Sequence, residues 1–384
     1  MESKPARWDI FCRVVDNFGD GGVCWRLARQ LAAEHGLAVT LWIDDVATLA
    51  RIEPALDPQR DDQVARGVRV RRSSDAHPAV FLGPDVVIEA FACGLPDAYR
   101  EAMAAETRPP VWINLEYLSA EGWVEAAHTL PSPHPLLPLT CWFYFPGFTR
   151  GTGGLLREKG LRASRNAFQR DPGSRAALLR DLGVAPRASA LVVSLFCYTN
   201  PALPELLDAW AEGDEDIVCV VPEGVAQSEL DRWTAGAVPH AGAPVVRGRL
   251  TLAVARFVDQ DAFDRRLWAC DLNFVRGEDS LVRALWAAQP LVWHIYPQAE
   301  EVHLLKLDAL LTRFDAGLDP LTVRDRRAFW LAWNSGLPEA AAAAWPAFRA
   351  ALPALRANAI SRAAALARQT DLTKALVTFC ENRL

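Results

Sequence analysis

Asp16-Asn17-Phe18-Gly19-Asp20-Gly21-Gly22 is the stretch whose reading decides the fold. It follows the apolar run 8–15, which reads as a buried strand. It precedes residues 23–31, where Val23, Leu27 and Leu31 recur at helical spacing. Two carboxylates and a run of glycines therefore stand where the carboxyl end of a strand turns into a helix, the place where open α/β sheets bind ligands.

Working outward, strand and helix keep alternating. Residues 37–43, 67–70, 85–90 and 110–115 read as strands and 96–105 as a helix, which implies a mainly parallel sheet with helices on both faces. At 384 residues the chain exceeds one ordinary core, so two domains are expected. With 51% hydrophobic and 23% charged residues the composition is globular, and the 14 tryptophans are expected to fill cores. A net charge of -6 argues against a nucleic-acid partner. Eight scattered cysteines with no C-x-x-C read as reduced, buried thiols rather than disulfides or a zinc site. No leader-like apolar segment and no run of about 18 apolar residues occurs, so the reading is a cytoplasmic protein without a membrane partner.

Strand, glycine loop, helix and then an acid is also the layout of a dinucleotide site. The spacing G-x-G-x-x-G is not met, however, and Asp20 would put negative charge where a pyrophosphate approaches the helix end. A nucleotide-dependent oxidoreductase is therefore disfavoured. Acids in this loop suit proton abstraction or the binding of a hydroxyl or cation better. The bland readings are a turn cap for Asp16, a helix cap for Asp20 and an exposed acid for Glu116, which ends another strand in Asn114-Leu115-Glu116-Tyr117.

Residues 131–146 are rich in proline and aromatics and read as a loop or edge strand, and the glycines of 147–154 as a hinge. Alternation restarts beyond residue 187, with strands at 190–196, 216–221, 250–257, 271–275 and 291–295 and helices between and after them, including 300–311. The strand ends carry the unusual residues: Phe196 to Asn200, Asp259 to Phe263, Arg276-Gly277-Glu278-Asp279-Ser280, and His294 to Gln298. In the Arg276 loop, free N–H groups at a helix start together with Arg276, Ser280, Tyr198 and Tyr296 can hold phosphate oxygens. Glu278 can accept from sugar hydroxyls, and Phe196 and Phe263 offer flat faces to a base. Residues 358–384 read as one or two amphipathic helices with Ile360, Ala364, Leu366, Leu376 and Phe379 on the apolar side.

Two doubly wound domains facing a cleft suggest the GT-B glycosyltransferase architecture. Asp16-Asn17-Phe18-Gly19-Asp20-Gly21-Gly22-Val23-Cys24-Trp25-Arg26-Leu27 together with Arg276-Gly277-Glu278-Asp279-Ser280 resembles the EarP arginine rhamnosyltransferases, end to end. The resemblance implies an N-terminal acceptor-binding Rossmann-like domain at 1–150, a linker at 151–187 and a nucleotide-sugar-binding domain at 188–359. A terminal helix at 360–384 can pack back on the first domain. It implies dTDP-β-L-rhamnose as donor and one arginine of translation elongation factor P as acceptor. The product is an α-rhamnosyl arginine formed with inversion, which readies the factor to rescue ribosomes stalled at polyproline. By the same resemblance Asp20 is the candidate base, Asp16 a second essential carboxylate, and Asn17, Phe18, Gly19 and Gly21 the acceptor loop. Phe196, Tyr198, Gln260, Phe263, Arg276, Glu278, Asp279, Ser280 and Tyr296 match the donor pocket. No cofactor or metal is expected. The rival class is a non-catalytic two-domain protein that binds a nucleotide-sugar or clamps a partner.

Overall fold

The structure is a computed structural model and describes residues 5–16, 18–76, 81–235, 240–298 and 302–384. The chain divides into two compact units, Met1–Lys159 with Leu366–Leu384, and Gly160–Ala365.

The first unit runs β1 (Arg7–Cys12), α1 (Phe18–His35), β2 (Ala38–Ile43), α2 (Val46–Ile52), β3 (Asp62–Ala65), β4 (Val68–Arg72), β5 (Val86–Ala90), α3 (Asp97–Ala105), β6 (Val111–Leu115), α4 (Val124–Ala127), β7 (Pro131–Pro133) and β8 (Thr140–Tyr144). Its sheet has the order β3-β4-β2-β1-β5-β6-β8-β7. The strands from β4 to β8 are parallel, while β3 and β7 are antiparallel edges. β5 and β6 are buried at every position, as strands covered on both faces must be. Strand β3, absent from the sequence reading, reaches β4 through a turn in which Arg66 and Gly67 both have positive φ.

Two expectations need correction here. Helix α1 starts at Phe18, not at Val23, so Gly19, Gly21 and Gly22 lie inside its first turns, and Asp20 is a first-turn residue rather than the cap. The glycines of 147–154 do not show a hinge's role. Gly154, at φ +78°, passes so close to the Thr370 carbonyl that a Cβ would sit 2.3 Å from its oxygen. Gly153 and Gly154 allow a close approach to the C-terminal segment.

That segment, α14 (Leu372–Glu381), buries Leu372, Leu376, Val377 and Cys380 in the first unit. Leu372 N–H donates to Leu155 O at 3.0 Å, and Gln30 of α1 donates to Arg157 O at 2.9 Å and to Asp371 Oδ1 at 3.3 Å.

The second unit begins with α5 (Leu161–Arg170) and α6 (Pro172–Asp181). It continues with β9 (Leu191–Leu195), α7 (Leu203–Glu212), β10 (Ile217–Pro222), α8 (Gln227–Trp233), β11 (Val245–Arg247), β12 (Leu250–Ala255), α9 (Gln260–Ala269), β13 (Leu272–Arg276), α10 (Gly277–Ala287), β14 (Leu291–His294), α11 (Val302–Asp315), α12 (Pro320–Asn334) and α13 (Pro338–Leu366). The sheet order is β11-β12-β10-β9-β13-β14, parallel except for β11.

Residues 160–187 are therefore part of this unit and not a linker. Asp171 caps α6 by accepting from the N–H of Gly173 and Ser174, Arg165 is buried and donates to Trp286 O at 2.8 Å, and Leu179 packs with Val184 and Val192. The start expected at residue 300 for the helix after β14 falls outside the described residues, and α11 runs on to Asp315. Ile360 was expected on an apolar face but is 54% exposed, because the helix it belongs to turns that side to solvent.

Candidate active site

In each sheet the strand order reverses beside the first strand, between β1 and β5 and again between β9 and β13. Connections leave such a point in opposite directions and open a crevice at the strand carboxyl ends. The sequence places the acidic loop after β1 and the aromatic and arginine loops after β9 and β13.

In the first unit Asp20 is 2% exposed, and its Oδ2 accepts from the N–H of both Val15 and Asp16, each at 2.8 Å. The side chain so folds the incoming loop back onto the first turn of α1. Its other oxygen, Oδ1, faces the Tyr117 hydroxyl at 3.4 Å, the long end of hydrogen bonding. The Gly19 N–H donates to Asp16 O at 2.6 Å, and a Cβ on Gly19 would lie 2.7 Å from Asp16 Oδ2. The Asp16 carboxylate thus rests against bare backbone, which explains this glycine. Gly21 meets only ordinary contacts, with Ile43 and Val14. Phe18 lies under Arg51, whose guanidinium carbon is 5.2 Å from the ring centroid. Asn17 lies outside the described residues.

The neighbouring strand ends complete this group. Asn114 accepts from Ala92 N–H at 3.1 Å and donates to Glu116 Oε1 at 2.7 Å. Phe91 and Ala92 have φ of 57° and 50°, a left-handed backbone that costs a non-glycine residue about 1–2 kcal/mol. Sequence reading passed over Phe91 and named Tyr117 without a role. Phe91 follows β5, the strand beside β1, so a guess at sheet order would have pointed to it. Beneath the loop, a hydrogen bond with Cys24 and burial hold the Cys12 thiol well above its usual range, which removes it as a nucleophile. All eight cysteines are free thiols.

In the second unit the Arg276 guanidinium lies between two rings, 4.5 Å from the Phe196 centroid and 4.8 Å from that of Tyr198, and donates to Cys197 O at 3.0 Å. Ser280 Oγ accepts from Arg276 N–H at 3.1 Å and donates to Arg276 O, so this hydroxyl pins the start of α10. Arg276 is the helix cap residue, and Gly277, Glu278 and Asp279 form the first turn. Phe263 meets Phe196 edge to face at 5.6 Å, and both rings are half-buried. Gln260 is buried and donates to Asp279 Oδ2 at 3.5 Å. Tyr296, 51% exposed, meets Tyr198 edge to face at 5.3 Å. The predicted donor residues therefore converge in one unit, on the loops after β9, β13 and β14 and the start of α9.

Sequence reading left His294 out of this group, yet it pairs with Arg276 in the sheet register and touches the Tyr198 ring at 5.4 Å. Burial, helped by the Arg276 charge, lowers its pKa to about 3, so it stays neutral. Among the described residues no group of three or more His, Cys, Asp or Glu side chains could hold a metal ion, and no helix is long and apolar enough to cross a membrane.

Two doubly wound units with polar loops at their strand carboxyl ends define a GT-B glycosyltransferase. The fold is shared with a UDP-glucosyltransferase from Polygonum tinctorium at TM-score 0.54 and 10% identity, over 99% of each chain. Residues 8–381 match the model of the Elongation-Factor P (EF-P) rhamnosyltransferase EarP family. A protein-arginine rhamnosyltransferase of Pseudomonas putida strain KT2440 is 50% identical over 99% of this chain and all of its own length. One from Neisseria meningitidis strain H44/76 is 36% identical, covering 85% of this chain and 84% of its own. A solved structure that gives the structural basis for EarP-mediated arginine glycosylation of translation elongation factor EF-P matches at TM-score 0.70 and 38% identity, over 99% of this chain and 100% of that one. The chain belongs to the EarP family of EF-P rhamnosyltransferases, as its two motifs implied, and is a glycosyltransferase.

Proposed function

We propose that this enzyme transfers L-rhamnose from dTDP-β-L-rhamnose to one arginine of elongation factor P, with inversion at the anomeric carbon. The observation that carries this reading is Asp20, a buried carboxylate with one oxygen fixed by two backbone N–H groups and the other turned to a tyrosine hydroxyl. A guanidinium keeps its proton at neutral pH and its lone pairs are delocalised, so it is a poor nucleophile. Paired charge-assisted hydrogen bonds to carboxylates orient it. As the nitrogen bonds to the anomeric carbon, the carbon–oxygen bond to dTDP breaks and its electron pair leaves with the diphosphate. The nitrogen becomes acidic as it is alkylated, and Asp20 accepts the proton while Asp16 holds the cation.

On the donor side, Phe196 and Phe263 face the base, Glu278 the sugar hydroxyls, and Arg276, Ser280, Tyr198 and Tyr296 the diphosphate. Gln260 and Asp279 complete the donor set. The start of α10 and Arg276 carry the leaving charge, so the reaction is assigned no metal ion. Once modified, the factor acts at ribosomes stalled on polyproline.

Mass spectrometry of elongation factor P after incubation with dTDP-rhamnose tests this directly. One deoxyhexose on a single arginine supports transfer, and undiminished turnover in a chelator supports the metal-free route. A stable complex with an unmodified factor refutes catalysis and favours a clamp.

A further inference from the structure

The carboxyl end of β5 stores strain for which the steps above have no use. Phe91 and Ala92 both sit in the left-handed region, and such backbone persists only where neighbouring bonds enforce it, characteristically at functional sites. The bonds are present: Phe91 N–H donates to Leu115 O at 2.7 Å, and Ala92 N–H to Asn114 Oδ1. The turn lays the Phe91 ring flat against Tyr117, with centroids 4.4 Å apart and planes 13° from parallel. Tyr117 is nevertheless 39% exposed. Phe91 backs the ring, and part of the Tyr117 side chain stays accessible beside it. Its hydroxyl is turned to Asp20 Oδ1.

We propose that Tyr117, backed by Phe91, is the platform on which the guanidinium of the acceptor arginine stacks; this rests on the reading of Asp20 as the base. A guanidinium is planar, delocalised and weakly hydrated, and it stacks on aromatic faces. Lying over Tyr117, it presents its N–H edge in a plane parallel to the ring, on the side that the tyrosine hydroxyl shares with Asp20. A lysine ammonium is a compact, strongly hydrated charge with no such edge, so the platform selects arginine over lysine. Phe91 is a positioning residue: it stops the Tyr117 ring from turning, and the strained turn keeps Phe91 in place.

Three variants and one ligand test this. With N-acetyl-arginine amide as the probe, proton NMR of the parent enzyme should show the methylene signals next to the guanidinium moving upfield, as ring stacking requires, and Tyr117→Leu should abolish the movement. In transfer assays Tyr117→Leu should raise the acceptor KM by about tenfold, the scale of a cation–π contact with partial desolvation. Donor affinity should stay within twofold of the parent. Tyr117→Phe keeps the ring, so it should keep the acceptor KM while lowering kcat. Should Tyr117→Leu fail to fold, Phe91→Leu must raise the acceptor KM. No upfield movement with the parent, or an acceptor KM within twofold of the parent in the folded ring variant, overturns the platform. A parent that modifies no arginine refutes the proposed function instead, because the NMR measurement does not depend on turnover.

Discussion

Asp20 has a structural task and a proposed chemical one, and two substitutions separate them. Asparagine can keep its amide oxygen where Oδ2 now accepts from Val15 and Asp16, and can turn its NH₂ towards Tyr117. Asp20→Asn should therefore fold with the parent loop and lose only the base, and loss of a general base slows reaction by about 10²–10⁴-fold. Asp20→Ala loses the base and also strips both N–H groups of their acceptor. A buried N–H left unpaired costs about 1–3 kcal/mol, but Val15 is 70% exposed, so water can replace at least one bond and the net cost is about 1–3 kcal/mol. For a unit of this size that lowers the melting temperature by roughly 2–4 °C per kcal/mol. The assays are initial rates of deoxyhexose transfer, calorimetric titration with dTDP, and thermal melting of all three proteins. Equal dTDP affinity, equally low rates and a lower melting temperature for alanine alone are expected. Turnover of Asp20→Asn within tenfold of the parent would sink the base assignment, and identical melting of the two variants would sink the loop-bracing role.

Further outcomes follow from other contacts. Gly19→Ala should cut transfer at least tenfold with dTDP affinity unchanged, because the added methyl would meet Asp16 Oδ2 at 2.7 Å and evict the carboxylate; parental rates would show that Asp16 need not rest there. Arg276→Lys gives up the stack between Phe196 and Tyr198 and the fork-shaped donor to Cys197 O, together about 1.5–3 kcal/mol, so calorimetry should show dTDP binding weakened about ten- to a hundredfold; unchanged affinity would place the diphosphate elsewhere. His294, at about 3, and His128, lowered to about 4 by burial, bind protons more readily unfolded, so the stability they confer is full above about 6.5 and lost as pH falls towards 4 and 3. Urea denaturation between pH 7 and 4 should show stability falling with pH, and His294→Gln should flatten the fall; an unaltered slope would refute the assignment.

The alternation of strand and helix was legible because parallel strands buried on both faces read as short apolar runs, as in Val86–Ala90 and Leu191–Leu195. The turn Arg276-Gly277-Glu278-Asp279-Ser280 was legible as a strand end running into a helix because a short apolar run stops there and a helical pattern follows, as β13 and α10 show. The start of α1 was not, since three glycines in five residues look like a loop until the sheet supplies the tertiary contacts that override propensity. Residues 151–187 read as a linker because they are charged, yet Arg165 and Leu179 bury their side chains against the second unit. Phe91 escaped notice because its importance lies in a backbone conformation and in the pairing of β5 with β1 and β6, neither of which a residue type reveals.

The return of Leu366–Leu384 to the first unit has a consequence for how the protein is made. Helix α14 supplies Leu372 and Leu376 to that unit's core, and Asp371 meets Gln30 of the helix that carries Asp20. A nascent chain therefore makes most of the first unit early but cannot finish it until the whole second unit has emerged from the ribosome. The second unit is complete first, and the acidic loop waits, on a unit whose core still lacks α14, for residues 366–384 to arrive. A message truncated before codon 366 would then yield a sound second unit joined to an unfinished first one, a product whose exposed core would attract chaperones and proteases rather than act as a weaker enzyme.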